Sequence, residues 1–175
     1  KVLLFKYAMG LNRKPVVRLS GLERRINTPH TRDLIRRLNL AAVTVLNNEK
    51  GVLPIHPDVK KVAVLTVGKA KELEAFTNEL KKYVEVHTFE LGKQMPDSLQ
   101  QKLRDSLSAY RRIIVPVNEI RLAPYQSFFA KFTPQVPVVY AFFTPAKLML
   151  QIHRAISNAS SVVLGHTDSD EVQEQ

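Results

Sequence analysis

The chain has 175 residues, 45% of them hydrophobic, and its 26 Lys and Arg against 16 Asp and Glu give a formal charge of +10. That length suits one domain built on a single sizeable core. The absence of cysteine excludes disulfides, thiolate metal sites and cysteine nucleophiles, and no apolar run reaches the roughly 18 to 20 residues that a membrane-spanning helix needs.

The first element is a helix over Lys1-Val2-Leu3-Leu4-Phe5-Lys6-Tyr7-Ala8-Met9. The chain starts inside it without Met and ends in an acidic tail, so both ends are expected to continue. Most of the positive charge lies in this leading part: residues 1 to 50 hold 11 Lys and Arg against 3 acids, and residues 51 to 175 hold 15 against 13. Such an excess is the usual footprint of a phosphate-binding protein. Here Arg24, Arg25, Arg32, Arg36 and Arg37 are interspersed with Leu and Ile, and no aromatic residues alternate with them as a single-strand stacking platform requires. A solvated helix face, or a surface meeting an acidic patch on another domain, is expected instead of a nucleic-acid partner.

Asn27-Thr28-Pro29 marks a second helix start, with Thr able to cap and Pro suited to the first helical position. This helix is expected to run to about Asn47, with Leu34, Leu38, Ala42 and Val45 forming one core-facing stripe. Gly51, Pro54 and Pro57 then punctuate a connector. The expected organisation is a helical linker and lead-in helix over 1–57, followed by a sandwich over 58–175.

From Lys61 the rhythm is strand, helix, strand, helix. Val62–Val67 is a continuous apolar run ended by Gly68, as a strand buried on both faces should be. A helix over about 69–82 follows, carrying Leu73, Phe76, Leu80 and Tyr83. Strand 84–89 leads to a helix over about 97–110 with Leu99, Leu103, Leu107 and Tyr110. Strand 113–117 leads to a helix with Tyr125, Phe128, Phe129 and Phe132, whose spacing favours packing over a sugar-stacking platform. Strand 136–143 leads to a helix opened by Thr144-Pro145, and Ser161-Val162-Val163-Leu164 closes the series at Gly165. Short crossovers of this kind specify a three-layer α/β/α sandwich with a mostly parallel sheet of five to six strands.

Ligands approach such sheets at the carboxyl ends of the strands, which directs attention to the loops at 68–71, 90–96, 118–123, 143–145 and 165–170. Gly68-Lys69-Ala70-Lys71 has neither dinucleotide-binding glycines nor a Walker lysine, no strand ends in an acidic Mg²⁺ cluster, and there is no Gly-x-Ser-x-Gly elbow. No cofactor and no metal are therefore expected, and His30, His56, His87, His153 and His166 read as surface or packing histidines. The candidate ligand-facing residues are Asn118, Glu119 and Arg121, against the plainer reading of a solvated Glu119–Arg121 ion pair.

Two segments carry a family resemblance. Lys6-Tyr7-Ala8-Met9-Gly10-Leu11 resembles the Lys-x-x-x-Gly-Leu helix end that leaves the barrel of glycoside hydrolase family 3. Thr44-Val45-Leu46-Asn47-Asn48-Glu49-Lys50-Gly51-Val52-Leu53-Pro54-Ile55 resembles the approach to that family's C-terminal domain, with Leu22–Pro29 as the linker before it. The resemblance implies a flavodoxin-like sandwich that supports, and lines one sugar-binding rim of, an N-terminal TIM-like barrel of the same chain. In such a retaining β-glycosidase the nucleophile belongs to the barrel, so this stretch alone would be inactive and would meet carbohydrate only within the longer enzyme. β-Glucosidase-like members place a glutamate acid in this domain, whereas Val117-Asn118-Glu119-Ile120-Arg121 lacks the Glu-Gly-x-Asp-Arg character of that loop. The resemblance therefore implies no catalytic residue here, a β-N-acetylhexosaminidase-like parent, and a periplasmic or secreted location. The competing classes are a stand-alone flavodoxin-like ligand-binding module and a basic-surface nucleic-acid-binding domain.

Overall fold

The computed structural model describes residues 1–13, 19–48, 51–56 and 58–174. Pro57 of the connector and Glu49-Lys50 of the polar turn lie outside the described residues. The chain divides into two units, Lys1–Ile35 and Arg36–Gln175.

The first unit holds helix α1 (Val2–Ala8), the short α2 (Leu22–Ile26) and the start of α3 (Pro29–Ala42). Thr28 caps α3 as its sequence predicts: the Thr31 amide donates to Thr28 Oγ1 at 3.1 Å, with Pro29 opening the helix. None of the described residues in α1, α2 or α3 is buried.

The second unit is built on one six-stranded sheet. Its strands are β1 (Thr44–Asn48), β2 (Lys61–Thr66), β3 (Glu85–Glu90), β4 (Ile113–Val117), β5 (Val138–Phe142) and β6 (Ser161–Leu164), in the order β1-β6-β5-β4-β2-β3. Five strands run parallel, and β1 pairs antiparallel with β6 from Thr44↔Leu164 to Asn48↔Ser161, with an irregularity between Val45 and Asn47. The three-layer α/β sandwich expected from the strand-helix rhythm is thus the fold that forms.

Alternation along the strands sends side chains to two cores. Leu65, Val115, Tyr140, Phe142 and Leu164 face one layer, where they meet Leu107 of α5 (Asp97–Ser108), Phe128 and Phe129 of α6 (Gln126–Lys131) and Ala155 of α7 (His153–Ser157). On the other face Val62, Val64, Ile114 and Val139 pack with Val52 and with Phe76 of α4 (Glu74–Leu80), while Ala141 and Phe143 meet Leu73 and Val172 of α8 (Asp170–Gln173). Tyr125, Phe128, Phe129 and Phe132 are all buried, so the packing reading of that aromatic set holds.

Two expectations are corrected. The lead-in helix stops at Ala42, and Thr44–Asn48 is the edge strand β1. The stripe Leu34, Leu38 and Val45 is 45%, 59% and 53% exposed, not core: Val45 lies past the end of the helix in extended backbone, and no described residue of the helix itself is buried. Several later helices are also shorter than their periodicity predicts: the segments before α4, α6 and α7 are 3₁₀ turns (Ala70–Leu73, Ala123–Tyr125, Ala146–Ile152).

Candidate functional site

The carboxyl ends of β2 and β4 meet at Gly68 and Asn118. Val67 bridges Val117, which brings the two following loops side by side. Gly68 takes φ +124°, and a Cβ there would lie 2.1 Å from Asn118 Oδ1 and 3.0 Å from the Glu119 amide nitrogen, so the approach requires glycine. Asn118 uses that approach to clamp the neighbouring loop. Its Oδ1 accepts from the Lys69 amide at 2.9 Å, and its Nδ2 donates to the Lys69 carbonyl at 3.3 Å and to Glu72 Oε2 at 3.4 Å.

Glu119 is fixed just as firmly. Its Oε1 accepts from the amides of Ile120 at 3.0 Å and Arg121 at 3.1 Å, and its Oε2 pairs with Lys93 Nζ at 2.6 Å. The carboxylate side chain is 14% exposed. Burial alone would raise its pKa, but the Lys93 hydrogen bond, the two backbone donors and the Lys93 charge outweigh burial and hold it below the usual glutamate range. The same bond raises Lys93 above the usual lysine range. Tyr125, beneath them, is raised by burial first and by the Glu119 charge second.

Arg121 is exposed and takes part in none of the ion pairs found among the described residues. Sequence reasoning therefore placed three residues at this edge, and two of them converge on it with defined contacts. The cation on Glu119 is Lys93, from the loop after β3, which no local pattern singled out. Gln151 was also missed: its Oε1 accepts from the Leu122 amide at 3.0 Å and its Nε2 donates to the Ile120 carbonyl at 3.4 Å, pinning the far side of the loop. Gln173 of α8 braces the β2 loop in a similar way, donating to the carbonyls of Glu72 and Asp168 at 2.7 and 2.9 Å and accepting from the Phe76 amide at 3.2 Å.

Chemically the edge is polar, fixed and short of reacting groups. Glu119 and Glu72 each carry a lysine partner, at 2.6 Å in both cases. An ionised, triply bonded glutamate can accept hydrogen bonds and counter a positive charge, but it is a poor proton donor at neutral pH. Among the described residues no group of three or more His, Asp and Glu side chains could hold a metal ion, and no helix is long and apolar enough to cross a membrane.

The molecule thus defines an α/β sandwich with an antiparallel edge strand and a rigid polar rim at its carboxyl end. This fold recurs within glycoside hydrolase family 3 enzymes. A β-glucosidase from Listeria innocua in complex with gluconolactone superposes with TM-score 0.68 at 18% identity, over 98% of this chain and 28% of that one. A β-glucoside phosphorylase gives TM-score 0.66 at 18% identity over 96% of this chain and 32% of that one. A glycoside hydrolase family 3 β-N-acetylglucosaminidase from Paenibacillus sp. str. FPU-7 gives 0.63 at 13% identity over 98% and 34%. The chain spans about a third or less of the length of these structures. No protein-family model and no curated protein matches the sequence.

Proposed function

We propose that the chain is the C-terminal α/β sandwich of a family 3 glycosidase, buttressing a catalytic barrel that lies elsewhere in the same polypeptide. The observation that carries this is the fold match, nearly complete along this chain and confined to about a third of each longer enzyme. Leu38 and Leu40 of α3 and Val45 and Leu46 of β1 are exposed on more than one face of this segment, which agrees with a position inside a larger assembly.

The parent is read as β-N-acetylhexosaminidase-like. The general acid of a retaining glycosidase must be protonated before the leaving group departs, and Glu119, held ionised by Lys93 and two amides, is poorly suited to that task. Asn118, Glu119 and Arg121 would instead shape one rim of the sugar pocket. The exported location rests on the family resemblance alone.

The experiment is hydrolysis of nitrophenyl β-N-acetylglucosaminide and nitrophenyl β-glucoside, by this chain and by the longer parent side by side. The expected result is an inactive chain beside a parent that prefers the N-acetylglucosaminide. Turnover by the chain alone would overturn the buttress reading, and preference for the glucoside would overturn the subfamily.

A further inference from the structure

Along the sheet's edge at β3, that strand, the start of β2 and the end of α5 line an open cleft of about 840 Å³. Its walls differ from the carboxyl rim in chemistry. Phe89 and Tyr110 meet edge to face at 5.7 Å, and His87 meets Tyr110 at 5.5 Å, giving a half-buried aromatic floor. Lys60, Lys61 and Arg111 line the same cleft, against one lining carboxylate among the described residues, Asp58.

The floor is held in one arrangement by a relay of bonds. Glu85 Oε1 pairs with Lys61 at 3.1 Å and accepts from His87 Nε2 at 2.8 Å. With that nitrogen donating, a neutral His87 leaves Nδ1 to accept from the Tyr110 hydroxyl, 2.9 Å away. Lys61 is therefore committed to Glu85. Among the described residues lining the cleft, Lys60 and Arg111 remain as the two cations that give it its sign, and a guanidinium suits a phosphate in two-point contact.

We propose that this cleft binds a small ligand in which a phosphate is attached to a ring, the ring resting on Phe89 and Tyr110 and the phosphate meeting Arg111 and Lys60. The site is independent of the sugar rim and does not require the glycosidase reading. Such a ring can be the pyranose of a sugar phosphate or the base of a nucleotide; each has an apolar face and is joined to a phosphate.

The test is an amide NMR titration of the chain with glucose 6-phosphate, adenosine monophosphate, inorganic phosphate and glucose. Expected are saturating shifts at His87, Tyr110 and Arg111 with at least one ring phosphate, the tighter of the two identifying the ring, and no saturation with glucose. Affinity should fall about tenfold in Arg111→Gln and again in Lys60→Gln, both surface positions whose folding the same spectra verify. It should also weaken as salt rises from about 0.05 M to about 0.3 M. Shifts that fail to saturate, that scatter over the basic surface, or that survive both substitutions unchanged would overturn the proposal. So would inorganic phosphate binding as tightly as either ring ligand.

Discussion

Asn118 joins two loops through both ends of one amide, and its contacts set what substitutions there should do. Asn118→Ala removes the acceptor of the Lys69 amide and the donor to its carbonyl; a loss of about 1–2 kcal/mol is expected, read as a lowered urea midpoint. Gly68→Ala should cost more, on the order of 3 kcal/mol, since the new Cβ collides with Asn118 Oδ1 in a backbone region that disfavours side chains. Glu119 gives a pH signature. Its folded pKa is depressed, so its contribution is fully present above the unfolded glutamate value and is lost as pH falls through the folded one. Wild type should therefore exceed Glu119→Gln by about 1 kcal/mol above roughly pH 5, with the gap closing as the solution is acidified. Paired urea titrations across that range check it; a gap that widens in acid would contradict the assigned sign. Asn118 and Glu119 were legible in the sequence because polar residues directly follow the apolar run Ile113–Val117. Lys93 was not, because its meeting with Glu119 depends on strand order: β3 lies beyond β2, two places from β4.

At the scale of elements, the buried parallel strands were legible for one reason: helices cover both faces, so each strand reads as an unbroken apolar run. β1 has no such signal. Its Val45 and Leu46 are half exposed, it ends in two asparagines, and Val45 happens to extend the three-and-four spacing of Leu34, Leu38 and Ala42. What makes it a strand is tertiary. Ser161 Oγ, on a fully buried residue, donates to the Asn47 carbonyl at 2.8 Å, and Asn47 Nδ2 reaches the Ala159 carbonyl at 3.3 Å. Asn48 holds both the amide and the carbonyl of Leu53, at 2.9 and 2.8 Å. Ser161→Ala should lower stability by about 1 kcal/mol. It should also speed hydrogen exchange across Thr44–Asn48 while leaving β4 and β5 protected; uniform loss of protection would mean that β1 and the central sheet open together.

Across the whole molecule, buried and exposed apolar residues should answer differently to substitution. Phe142 is completely buried between β4 and β6 beside Tyr140, so Phe142→Ala should cost about 3–5 kcal/mol, read in the urea midpoint of the chain. Leu38 is 59% exposed, and Leu38→Glu should shift that midpoint by less than about 0.5 kcal/mol. If the chain buttresses a barrel, the same substitution should lower the thermal midpoint and activity of the longer enzyme; an unaffected parent would place the covered surface elsewhere. The register of β1 adds a mechanical consequence. Thr44 lies opposite Leu164, so the end of β1 nearer the start of the chain sits beside the end of β6 nearer its finish. Tension applied at Thr44 and Leu164 would pull at that one corner and peel the ladder pair by pair from Thr44 toward Asn48, instead of shearing every bond at once. Under load β1 would unzip at low force, ahead of the strands it borders.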